Sequence, residues 1–161
     1  MHARHRFPFT ACLTACLLAG CALDRGDLAE EPARERLREA FVEATNQADA
    51  GALMALFHLE GVEKRDRQLL RAGLEREVGL PIESIRFEAV PPGDTIDYVF
   101  QGRRYGPTLE PTFRMKVVYG TEDGFTSSFL VGMEDGEARL ITAAPVSDPD
   151  NGRAGSPDGE G

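Results

Sequence analysis

His58 is the residue whose type best suits acid–base chemistry, because imidazole is the side chain that changes charge near neutral pH. It follows a short apolar segment and sits beside Leu59. Nothing in the sequence assigns it an orienting carboxylate, and the competing reading is a partly buried or helix-capping histidine. Tyr98, Tyr105 and Tyr119 could offer phenols to a pocket, although tyrosine also enters strands simply because it packs well there. Glu110 and Arg114 lie in or near the Gly106–Pro111 loop and could hold a polar ligand, or be ordinary surface charges. The chain has no Ser/His/Asp order, no glycine-rich phosphate loop and no paired-carboxylate spacing. Asp148, Asp150 and Asp158 share the composition of a calcium ligand set but not the spacing of an EF-hand loop. Hence no catalytic residue, metal site or cofactor is assigned.

A different chemistry is carried by Cys21. Arg4 and Arg6, with His2 and His5, precede Phe7–Leu18, an apolar run of twelve residues. A membrane-spanning helix needs about 20, so the run suits a cleaved export signal. Leu18-Ala19-Gly20-Cys21 closes it. This stretch resembles the bacterial lipobox, in which a branched apolar residue and two small residues precede a cysteine. The resemblance implies cleavage between Gly20 and Cys21, a diacylglyceryl thioether on Cys21 and acylation (palmitate or a similar chain) of the new amino terminus. Two or more acyl chains hold a protein on a bilayer firmly, where one gives marginal binding. The resemblance also implies the cell envelope, and Ala22 after the cysteine favours the outer over the inner membrane. The alternative is an ordinary cleaved signal with Cys21 a bystander.

Removal of residues 1–20 from 161 leaves 141, a normal size for one domain with tails. That remainder holds 16 Lys+Arg, since Arg4 and Arg6 leave, against 27 Asp+Glu, a side-chain charge of −11. Nucleic acid is excluded as a partner of choice, because phosphate neutralisation requires a basic surface. Cys12 and Cys16 leave with the signal, so no disulfide, thiol nucleophile or thiolate metal site is expected, and the domain must stand on its apolar core.

The elements that would position these residues follow from periodicity. Ala22–Glu31 is short and polar and is expected to be a tether, within a lipidated segment of residues 21–31. Pro32 suits the first turn of a helix. Leu37, Ala40, Phe41, Ala44 and Ala48 then recur at helical spacing, with Arg34, Arg36 and Arg38 among the outer residues, predicting a helix over 32–48. Asp49 is placed to cap a second helix burying Leu53, Leu56 and Phe57 and ending at Gly61. A third, over 63–78, would turn Leu69, Leu70, Leu74 and Val78 inward and stop at Gly79 before Pro81.

From Ile85 the period changes to two. Strands are expected at Ile85–Ala89, Ile96–Phe100, Arg103–Tyr105, Phe113–Tyr119, Phe125–Met133 and Ala138–Ala144, with turns at Gln101-Gly102, Gly120–Gly124 and Glu134–Gly136. Residues 146–161, with little apolar content, are expected to be a disordered acidic tail. The fold class is therefore α+β: three N-terminal helices packed on a curved antiparallel meander of four to five strands. A long helix, a short one capped by Asp49 in Asn46-Gln47-Ala48-Asp49, a third helix and a meander resemble, over residues 32–145, the nuclear transport factor 2-like, cystatin-like cone fold. That resemblance implies a pocket between helix and sheet, which His58, Tyr98, Tyr105, Tyr119 and Arg114 could line. Members include binding domains as well as isomerases and dehydratases. The reading favoured is a lipid-anchored, non-enzymatic domain that binds a small ligand or an envelope protein. The alternatives are an isomerase- or dehydratase-type enzyme and a structural module that forms a homodimer through its sheet.

Overall fold

The computed structural model describes residues 25–146, and their side chains from residue 30 onward. The expected signal segment, Cys21 and residues 147–161 of the expected tail lie outside the described residues. The architecture is α+β, with helices preceding antiparallel sheets.

Helix α1 runs Arg25–Asn46, so Pro32 lies inside it and the expected tether is helical from Arg25. Glu31 pairs with Arg34 one turn on, at 2.6 Å, bridging the proline. Ala33, Leu37, Phe41 and Ala44 form its buried stripe. Arg34 and Arg38, expected on the outer face, instead lay their guanidinium groups over the Phe113 and Phe87 rings, 4.7 and 5.4 Å from the centroids. Long basic side chains can cover apolar surface while keeping their heads near water. The helix ends before Ala48, which is exposed and has φ 53°. The Ala48 N–H donates to Thr45 O and the Asp49 N–H to Ala44 O, the paired bonds of a Schellman end with alanine in the usual glycine position.

Asp49 then caps α2 (Ala50–Met54), Oδ1 accepting from the Gly51 and Ala52 N–H groups at 2.8 and 2.9 Å. Helix α3 (Lys64–Leu74) buries Leu74 and half-buries Leu70. Leu69, expected inward, is 62% exposed. An eleven-residue helix touching the body along one narrow edge leaves the neighbouring position in water.

The expected single meander divides into two sheets. One has the order β1 (Ile82–Ala89), β4 (Phe113–Tyr119), β5 (Thr126–Glu134), β6 (Glu137–Leu140); the other joins β2 (Tyr98–Phe100), β3 (Arg103–Pro107) and β7 (Ala143–Pro145). The predicted Ala138–Ala144 strand is what divides. After Leu140 the backbone leaves β5, and Ala143–Pro145 pair with Pro107–Tyr105 of β3. Gly132 makes room for the Leu109–Glu110 segment, which packs on β5. A Cβ there would lie 2.8 Å from both Glu110 O and Leu109 Cβ. Alternation in β4 is complete: Phe113, Met115, Val117 and Tyr119 are buried, while Arg114 and Lys116 are not. Between this face and α1 the space is occupied by Phe41, Leu53, Met115, Val117, Tyr119, Val131 and Leu140, each with 0% exposure. The Phe129 ring lies 5.6 Å from Phe41 and 6.0 Å from Phe57, tying strand to helices.

Candidate functional site

The residues singled out by type are distributed over four places. Tyr119 lies in the dry core beneath α3's end. Its hydroxyl donates to Glu77 Oε2 at 2.9 Å. Burial, then the neighbouring Glu77 carboxylate, raises its pKa far above the ordinary phenol value, so the group is held neutral and is a structural donor.

Arg114 is on the opposite face of β4. Its guanidinium donates to Glu88 Oε2 at 2.8 Å and to Asp94 Oδ2 at 3.2 Å. The hydrogen bond to Arg114 holds the Glu88 carboxyl below its usual range. This pair fastens the Pro91–Asp94 turn to β1. Glu110 is exposed, away from these contacts.

Tyr98 and Tyr105 face each other across the β2–β3 hairpin and stack, 5.2 Å between centroids and 3° between planes. Gln101 (φ 51°) and Gly102 (φ 75°) form the two-residue turn that sets this register. Burial, then Tyr105 and Asp66, raises the Tyr98 pKa. Arg104 donates two hydrogen bonds to Asp97 at 2.8 and 2.9 Å and lowers its pKa.

His58 occupies the fourth place. Its backbone N–H donates to Leu140 O, which fixes the segment after α2 against β6. The side chain is 10% exposed, with Nε2 lying 3.2 Å from Glu134 Oε1 and 3.7 Å from Glu60 Oε2. Glu134, at the end of β5, is thus the carboxylate partner that the neighbouring residues did not reveal. Only strand pairing brings it to His58. The two line an open groove of about 540 Å3 whose other wall is Pro107–Leu109 and the end of β7. Nδ1 is shielded from solvent and has no hydrogen-bond partner. A general base needs one nitrogen within reach of the substrate proton. Here one nitrogen faces two carboxylates and the other faces protein.

The five residues named from the sequence therefore do not converge on one pocket. Tyr98 and Tyr105 are together; His58, Tyr119 and Arg114 are each elsewhere. Among the described residues, no group of three or more His, Cys, Asp or Glu side chains is arranged to hold a metal ion. No described helix is long and apolar enough to cross a membrane. No family model matches the chain, and no curated protein matches it. Among solved structures, it is similar to a variant of Rv3472, a function-unknown protein from Mycobacterium tuberculosis, at 14% identity over 76% of this chain and 74% of that one, with a TM-score of 0.36.

Proposed function

We propose that this chain is a lipid-anchored envelope protein, held through Cys21 and favouring the outer membrane, whose residues 32–145 bind a small ligand or another envelope protein and do not catalyse a reaction. The binding domain is read as three helices on a curved sheet, in the manner of the nuclear transport factor 2-like cone. The anchor rests on Leu18-Ala19-Gly20-Cys21 at the end of a twelve-residue apolar run. The observation that carries the non-catalytic reading is the filling of the helix–sheet interior. Isomerase-type chemistry needs an ionisable group in an apolar cavity, and that space is taken by Phe41, Met115 and Tyr119. An enzymatic alternative draws on one specific observation, the His58–Glu134 pair in its groove. The buried Nδ1 weighs against it.

Membrane fractionation of the full chain beside Cys21→Ser tests the anchor. The natural protein is expected with membranes and the variant in the soluble fraction with an unchanged melting temperature. Recovery of Cys21→Ser with membranes at the natural level overturns it. A substrate-panel assay beside His58→Ala tests the second half. Turnover that disappears in this variant replaces the binding domain with an enzyme.

A further inference from the structure

Each of the two sheets has two edge strands, whose outward backbone N–H and C=O groups can pair with another chain unless something prevents it. Three of these four edges are guarded. β1 carries Glu83, Arg86 and Glu88 and shifts register between Ile82 and Ser84. β6 is covered by the segment after α2, where the Leu140 N–H donates to Leu56 O and the His58 N–H to Leu140 O. β7 ends in Pro145, which has no N–H to offer. Among the described residues, β2 is the edge left bare. Tyr98, Val99 and Phe100 carry neither charge nor proline, their pairing with β3 has no bulge, and every residue from Asp97 to Arg104 is exposed.

The hairpin sets the direction of the free groups on β2. Opposed residues of an antiparallel pair alternate between hydrogen-bonded and non-hydrogen-bonded sites. Arg104 faces Val99 in the β2–β3 register, yet its C=O accepts from the Val146 N–H at 2.9 Å, on the β7 side. Val99 and Arg104 are therefore a non-hydrogen-bonded pair. The Val99 N–H and C=O point away from β3, out along the open edge, and no described backbone group bonds to them. Val99 is 70% exposed.

We propose that a second copy of this chain pairs with β2, edge to edge and antiparallel about Val99. The segment is self-complementary. With Val99 opposite the partner's Val99, the two exchange a pair of N–H···O bonds. Tyr98 then stands opposite the partner's Phe100, and Phe100 opposite the partner's Tyr98, as aromatic cross-strand pairs. Asp97 meets the partner's Gln101, so no like charges oppose. A two-fold axis normal to the sheet keeps both α3 helices on one side, where Leu69 and Asp66 border Phe100. Two further observations favour a second copy over a different partner. Of the six exposed large hydrophobic residues among those described, Tyr98, Val99 and Phe100 lie on this strand and Leu69 beside it, and one symmetric pairing shields the three on β2. Charge agrees. Glu63, Arg65 and Asp66 beside the hairpin, and Asp97, Arg103 and Arg104 along it, are three acids and three bases. The chain as a whole carries −9, so two copies repel over most of their surface but not at this edge, and a strongly charged partner gains no field there. The dimer needs neither the Cys21 anchor nor a bound ligand.

The test is sedimentation equilibrium of the full chain in density-matched detergent, beside Val99→Pro and Val99→Lys. Proline deletes the outward N–H, which β3 does not use, and is tolerated at such edge positions. Lysine is a charge that blunts natural edges. A concentration-dependent dimer is expected for the natural chain, with its dissociation constant raised roughly tenfold or more in both variants, the scale of two lost hydrogen bonds. Both are expected to melt as the natural chain does, and if the proline variant unfolds the lysine variant decides. Val99→Cys reads the register. A hydrogen-bonded antiparallel pair sets its Cα atoms about 5.5 Å apart, within disulfide reach. Mild oxidation is expected to cross-link Val99→Cys into dimers far more than the natural chain or Glu122→Cys, on the exposed β4–β5 turn. A monomer at every concentration, a dimer unchanged in Val99→Lys, or no excess cross-linking in Val99→Cys overturns the proposal. None of these outcomes touches attachment through Cys21 or turnover, which the fractionation and substrate-panel experiments judge separately.

Discussion

The four-stranded sheet under α1 and the three-stranded sheet β2-β3-β7 are built from the same chemistry and carry opposite burdens. In the first, β4 alternates buried and part-exposed positions without a break, and its inner residues touch the α1 stripe. In the second, β2 is exposed at all three positions, including both Tyr98 and Phe100. Charged pairs, Arg104 with Asp97 and Arg103 with Glu63, fasten its hairpin. Exposed ion pairs of this kind contribute little to stability, because water screens them and two long side chains must be held still. The difference teaches where function can be sought. Stability is concentrated in the dry layer between α1 and β4–β6, which leaves the small sheet free to present apolar side chains to water.

Replacement of the central core ring is the largest way to test that contrast. Phe41→Ala removes a side chain with 0% exposure that contacts Phe129, and is expected to cost about 3–5 kcal/mol in urea unfolding. A midpoint equal to that of the natural chain would show that the core lies elsewhere.

An intermediate effect is expected from Tyr119→Phe, which removes the hydroxyl bonded to Glu77. The loss should be about 1–2 kcal/mol near neutral pH, because Glu77 loses its donor. The pH dependence sharpens the point. Tyr119's folded pKa is raised, by burial first. Its contribution is therefore fully present below the unfolded phenol value of about 10 and declines as pH rises above it toward the folded value. Stability measured from pH 8 upward should fall beyond about pH 10 in the natural chain, and less steeply in Tyr119→Phe. Parallel curves would place the alkaline sensitivity in another group.

The smallest effect is expected on the small sheet. Phe100 is 50% exposed, so Phe100→Ala should change stability by no more than about 0.5 kcal/mol, as surface changes do. A loss approaching that of Phe41→Ala would erase the distinction between the two sheets.

Much of the framework was legible along the chain where a signal is local. The Phe113–Tyr119 alternation predicts β4 residue for residue. Asp49 before a short apolar segment predicts a cap that the Oδ1 contacts realise, and Gln101-Gly102 predicts a tight turn, which the structure forms with positive φ at both positions. Errors came where the deciding partner is distant. Leu69 fits an inward stripe by spacing, yet the body ends before it. Ala48 continues the helical period, yet the chain must turn there to start α2 from Asp49. Of the candidate site, His58 was legible by type, while Glu134 was not, because β5 and β6 must pair first. Asp66 carried no signal at all beyond an acid in a helix's first turn, where it also suits the dipole.

The sequence by itself determined the inner face of β4, the Leu37–Phe41–Ala44 stripe of α1, the Asp49 cap and the hairpin turns. Each depends on side-chain alternation or backbone conformation within a few residues. Only the tertiary structure decided that Ala143–Pro145 leave the large sheet for β3, that His58 faces Glu134 and that Asp66 meets Phe100 and Tyr105. These follow from strand pairing and close packing between segments far apart in the chain. No local pattern encodes which edge a strand will join, because backbone N–H and C=O groups are the same at every edge.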